Sequence, residues 1–245
     1  MAPNSRIILT RHAQAEHNVD LDYTSEPNKR HQNDSTRLTG KQVPDAPLTP
    51  LGKKQAKAMA PQVAKLQEEA DVVVSSPLKR TLQTTKLAWG PAVERLGIEN
   101  VICLPEAQEC NAHPCDTGSA REVLEKDPEL KGFNLENLKP EWTSKQGFWA
   151  ADYETLQNRA KWVRQWLKNR PEETIVLVAH GDILRRITST PAGPSEYMWK
   201  NAEARIWEFD PKSVDSDDCW LYQRENVAAA GGYGPTSSDA DFETN

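Results

Sequence analysis

Four short apolar runs punctuate an otherwise polar chain, and between them apolar positions recur at helical spacing. Arg6 to Thr10 (RIILT) reads as a short buried strand, and Asp71 to Ser76 (DVVVSS) as a second, rich in β-branched residues. ENVICLP from Glu99 and TIVLVAH from Thr174 are two more. Helical patterns begin at Leu48 (LTPLGKKQAKAMA), where Thr49 suits the cap and Pro50 the first helical position, and at Ser76 (SPLKRTLQTTKLAW). Pro61 leaves two readings open, a kink or an end and restart. Strands alternating with helices predict an α/β fold, with a mostly parallel central sheet covered on both faces in three layers, α/β/α.

Two segments break this rhythm. Val19 to Pro47 is polar, rich in Asn, Asp, Thr and Pro, and too long for an ordinary connection, which favours a functional or mobile loop. Asn111 to about Asp152 holds a short helical piece (SAREVLEKD) and then Trp142, Phe148 and Trp149, which suit either an apolar substrate pocket or core packing of the segment itself. From Ala228 the chain has the Gly, Ser and Asp content of a disordered tail. The 245 residues therefore read as one domain over 1–227, with insertions at about 19–47 and 111–152, and a disordered tail over 228–245.

A formal net charge of −6 argues against a broad basic surface, so neither nucleic acid nor an anionic membrane is an expected partner. The apolar run before Arg11 is too short for a signal-peptide core, and no later run approaches a membrane span, so the expected location is cytoplasmic. Cys103, Cys110, Cys115 and Cys219 form no CxxC pair and are expected as reduced thiols. Oligomeric state is not legible.

In an open parallel sheet, ligands bind outside the carboxyl ends of the strands. Arg11 and His12 follow the first strand, Ser75 to Arg80 the second, Glu106 and Glu109 the third, and Ala179 to Asp182 (AHGD) the fourth. One end of the sheet thus gathers two arginines, two histidines and a choice of carboxylates. Such a set suits phosphoryl transfer to a side chain. A neutral imidazole attacks phosphorus in line while guanidinium groups neutralise the phosphoryl oxygens, and a carboxylic acid kept protonated beside the phosphate protonates the leaving alkoxide.

RHAQAEHN supplies Arg11, His12 and Asn18, with Ala13 where the related motif has glycine; LTPLGKKQA matches an LTxxGxxQA element, and SSPLKRTLQTT an SxxxRxxQT element carrying Arg80. VLVAHGDILR supplies His180 and Gly181, and QECNAHPCDTGS carries Glu109. On these motifs, spread over most of residues 6 to 190, the chain resembles the histidine phosphatase superfamily, the phosphoglycerate-mutase-like proteins. The resemblance implies that fold and a phosphatase acting on a small phosphorylated substrate without metal or cofactor. It implies His12 as the nucleophile that becomes phosphohistidine. Arg11, Arg80 and His180 would hold the phosphate, with His180 giving a hydrogen bond or a positive charge. Glu109 would be the acid and then the base, and Asn18 would reach the phosphate. Alanine for glycine at position 13 implies that no special backbone angle is needed there or that the loop is altered.

Other readings stay open on the residues alone. Glu106, three positions from Glu109, is a rival acid or a solvated surface group. His17 and His113 are spaced for no compact zinc site. Asn28 to His31 (NKRH), with Arg37 and Lys41, reads as a solvated loop or a second anion site. Two rival functions are a phosphomutase of the same fold and a non-catalytic phospholigand-binding protein. The long clamping segments of cofactor-dependent mutases are not recognisable, and neither nucleophile nor acid is lost.

Overall fold

The strand that lies between β1 (Arg6–Arg11) and β2 (Val72–Ser75), β4 (Thr174–Ala179), is buried at every position, which its unbroken apolar sequence demands of a central parallel strand. The computed structural model describes residues 5–19 and 42–223. Lys29, Arg30, Arg37 and Lys41, like the stretch 228–245, lie outside the described residues.

Among the described residues the sheet has six strands in the order β3-β2-β4-β1-β5-β6. β1 (Arg6–Arg11), β2 (Val72–Ser75), β3 (Ile102–Cys103) and β4 run parallel. β5 (Ala204–Phe209) and β6 (Leu221–Gln223) continue the sheet antiparallel beyond β1. Neither was expected from the sequence, because Arg205 and Glu208 interrupt the apolar pattern of β5. The ENVICLP strand shrinks to two residues.

Successive residues of each strand point to opposite faces, and the apolar residues divide accordingly. Ile8, Val73, Val176 and Val178 pack under α1 (Pro50–Gln62), α3 (Lys79–Ala88) and α4 (Gly90–Leu96). Ile7, Leu9, Val74 and Leu177 pack under α6 (Tyr153–Lys168) and α7 (Gly181–Ile187). These are the expected three layers. Pro61 resolves as an end and restart: α1 runs one residue past it, Val63 leaves helical geometry at φ −104° and ψ 15°, and α2 (Ala64–Glu69) begins.

The segment 111–152 folds into short turns around α5 (Arg121–Glu125). Trp142 is core, buried with Leu130, Phe133 and Leu138, whereas Phe148 is exposed and stacks edge-on against Trp149 and Trp162. Two distant carboxylates tie these pieces down by capping helices whose own N-caps offer no side chain. Asp45 accepts from Lys79 N at the start of α3 (2.9 Å) and from Ser119 N (3.1 Å). Glu109 does the same for α7. No helix among the described residues is long and apolar enough to cross a membrane.

Candidate active site

His12 follows β1 directly, and its amide donates to Ala179 O on β4 at 3.0 Å, which draws the two strand ends together. The ring is buried. Nδ1 lies 2.6 Å from Ala13 O, and because a carbonyl only accepts, Nδ1 carries the proton. Nε2 is left with its lone pair, which accepts from Arg80 Nε at 3.2 Å. The same Arg80 N–H reaches His180 Nδ1 at 3.1 Å, and His180 Nε2 then donates to Ser76 Oγ at 2.8 Å. The two rings stand edge to face, 5.2 Å apart.

Burial, reinforced by the charge of Arg80, holds both imidazoles well below their ordinary pKa, so both are neutral. His180 therefore carries no positive charge in this state, and its two ring nitrogens are engaged by Arg80 and Ser76. The expected positive charge there would need an anion to draw the proton.

Arg80 is fully buried, and its outer nitrogens are anchored by Cys115 O (2.6 Å) and Asp116 Oδ1 (2.9 Å), both in the segment after Glu109. Arg11 is held by Trp199 O at 2.5 Å, while its Nε is buried without a hydrogen-bond partner among the described residues. A Cβ on Gly181 would lie 3.5 Å from that Nε, so the start of α7 covers Arg11.

Glu109 separates from Glu106 here. Its Oε1 accepts from Cys110 N (2.9 Å) and Ile183 N (3.1 Å), while Oε2 has only a long contact from Asp182 N (3.4 Å). Burial first, then the charges of Asp116 and Asp182, push its carboxyl pKa up. Glu106 is half-buried in the turn Pro105–Ala107, its carboxyl raised by burial and stabilised by Arg159 rather than by the two pocket arginines. The carbonyl of Glu109 is fixed by Arg159 Nη2 (3.2 Å) and Lys145 Nζ (3.3 Å).

The LTPLG element contributes no group to the pocket but clamps the loop after His12. Thr49 N donates to Gln14 O (3.1 Å), Gln14 N donates to Gln55 Oε1 (2.9 Å), and a Cβ on Gly52 would fall 1.9 Å from Gln14 O. Ala13 is fully buried, donates to Thr84 Oγ1 (3.1 Å) and does not have positive φ, so alanine serves where related chains have glycine.

Asn18, expected to reach the phosphate, has its amide engaged within its own turn. Its Oδ1 accepts from Ala15 N (3.0 Å) and its amide nitrogen lies 3.1 Å from His17 Nε2. His17, set aside in the sequence, packs its ring 5.5 Å from that of His12. His17, Asp116 and Ser76 touch the candidate site residues, and the sequence reading gave none of them a role there; each lies inside a quoted motif, and that proximity was the available signal. Cys103, Cys110, Cys115 and Cys219 are buried free thiols. Among the described residues, no group of three or more His, Cys, Asp or Glu side chains is placed to hold a metal ion.

Residues 7–215 match the model of the histidine phosphatase superfamily (branch 1). Phosphoserine phosphatase 1 of Hydrogenobacter thermophilus is 30% identical over 225 residues, 91% of this chain and 89% of that one. A probable phosphatase of Schizosaccharomyces pombe is 26% identical over 222 residues, 84% and 95%. Among solved structures, a mycobacterial glucosyl-3-phosphoglycerate phosphatase superposes with a TM-score of 0.53 at 18% identity, covering 94% of this chain and 100% of its own. A phosphoserine phosphatase of Entamoeba histolytica gives 0.52 at 18% identity, covering 93% and 96%. Both structures share the fold described above.

Proposed function

The chain belongs to the histidine phosphatase superfamily (branch 1), and on that premise we propose that it hydrolyses a small phosphate monoester through a phosphohistidine on His12. The observation that carries the reading is the tautomer of His12: Nδ1–H is committed to Ala13 O, so Nε2 keeps a lone pair on a ring that burial and the charge of Arg80 hold neutral.

Nε2 attacks phosphorus in line. Arg11, whose Nε has no other partner among the described residues, and Arg80 balance the charge on the phosphoryl oxygens as it shifts, which is the work a metal ion does elsewhere. An entering dianion also reverses the field at His180, favouring a proton on Nδ1 and turning that nitrogen from acceptor to donor. Glu109 gives its proton to the leaving oxygen from Oε2, the oxygen not committed to two amides. The resulting carboxylate then takes a proton from the water that attacks phosphohistidine. Two inversions give net retention at phosphorus. One relative is a phosphoserine phosphatase and one protein of the same fold a glucosyl-3-phosphoglycerate phosphatase, and small esters of that kind are the substrate class proposed here.

Rapid quenching with labelled substrate tests the reading. An acid-labile, base-stable phosphoprotein is expected, absent in His12→Ala, with inorganic phosphate as product. Label returned to a substrate hydroxyl would make the protein a mutase. Tight binding of phosphate esters with no intermediate would make it a binding protein.

A further inference from the structure

One buried donor of the pocket has no role in that chemistry. His17 stands in the turn Glu16–Asn18, and with His12 and His180 it forms a cluster of three imidazoles in which the His12 ring contacts both others, at 5.5 and 5.2 Å. Its protonation follows from a chain of hydrogen bonds. Ala15 N–H donates to Asn18 at 3.0 Å, which makes the accepting atom the amide oxygen and points the amide nitrogen at His17 Nε2, 3.1 Å away. An amide nitrogen only donates, so Nε2 accepts and the ring proton sits on Nδ1. Nδ1 is buried and, among the described residues, has no hydrogen-bond partner. An orphaned buried N–H is unfavourable, and its persistence beside His12 is explained when its acceptor arrives with the ligand.

We propose that His17 is a fourth phosphoryl-binding side chain beside Arg11, Arg80 and His180, donating its Nδ1–H to a non-bridging oxygen of the bound phosphoryl group, with Asn18 as the residue that positions it. The assignment rests on the phosphatase reading and deepens it. Burial, then the charges of Arg80 and Arg11, hold the His17 pKa down to about 2, so it supplies a hydrogen bond and no charge. Sensitivity to both pocket arginines places its ring in the same field that the phosphoryl group enters. Because the contact is to the phosphoryl group, it serves every ester alike.

Calorimetric titration of the full chain with orthovanadate and inorganic phosphate tests this. His17→Phe keeps a ring against His12 and removes the donor; His17→Asn places an amide N–H near the former Nδ1. The Phe variant should bind both anions about ten- to a hundredfold more weakly and lose kcat/KM to the same extent on aryl and alkyl phosphates, with the Asn variant recovering most of the loss. A Phe variant of native Tm that binds like wild type, or an Asn variant as weak as Phe, overturns the assignment while leaving the phosphatase reading intact. A wild type that binds neither anion sinks both. Nitrogen-15 histidine NMR of the unmodified chain gives a readout independent of any variant's folding. His17 should be protonated on Nδ1, with that proton protected from exchange when phosphate is added; a proton found on Nε2 overturns the proposal.

Discussion

Asp116 Oδ1 accepts a hydrogen bond from Arg80 Nη2 at 2.9 Å, with both side chains buried. The pair links two functions, because Asp116 anchors the arginine between the two histidines and its charge raises the pKa of Glu109. Asp116→Asn removes that charge, so Glu109 should titrate lower. Activity that needs protonated Glu109 falls as pH rises through its pKa, so the alkaline limb of kcat/KM for an alkyl phosphate should move to lower pH. Asp116→Ala, which leaves Arg80 buried without its counter-charge, should also cost about 3–5 kcal/mol of stability by urea unfolding. An Asn variant with an unmoved alkaline limb would separate Asp116 from the acid.

Glu109 and Glu106 are distinguished by their partners, and leaving-group dependence reads the difference. Glu109→Gln should slow alkyl phosphates by a factor on the order of 10² to 10⁴ while affecting aryl phosphates far less, since aryl oxide departs without full protonation. Glu106→Gln should leave the ratio of the two rates unchanged. The reverse pattern would place the acid on Glu106.

Burial of neutral His12 makes stability depend on pH. Its folded pKa is depressed, so below the unfolded value of about 6.5 the unfolded chain binds a proton that the folded chain refuses. Stability is therefore lost on acidification, approaching about 1.4 kcal/mol per pH unit for this one group. Other titrating groups cancel in a comparison with His12→Gln: wild type should lose stability faster than the variant as pH falls, and parallel curves would show that His12 is charged in the folded state.

Guanidinium groups in place of a metal ion predict that a chelator leaves hydrolysis of an aryl phosphate unchanged, while vanadate, a mimic of five-coordinate phosphorus, inhibits. Activity lost to chelator and restored by magnesium or zinc would overturn the metal-free mechanism.

The chain's local chemistry already carried the central sheet and four residues of the candidate site. Ile7 to Leu9, Val72 to Val74 and Ile175 to Ala179 are apolar runs that have no other stable place than between two helical layers. Arg11, His12, Arg80 and His180 lie at or just beyond the ends of these strands, so strand direction alone brings them to one edge. Tertiary structure decided what local pattern does not encode. The alternating polar residues of β5 are legible as a strand only once β1 offers a partner at Ile7 to Thr10. Glu109 and Glu106 sit on one short stretch with equal propensities, and only the amides of α7, 73 and 74 residues away, separate them. His17 was unremarkable beside Asn18 in the sequence. Its buried, unmatched donor became apparent only when the backbone amide of Ala15 fixed which way Asn18 points, because a tautomer is set by hydrogen-bond partners in space and not by neighbours in the chain.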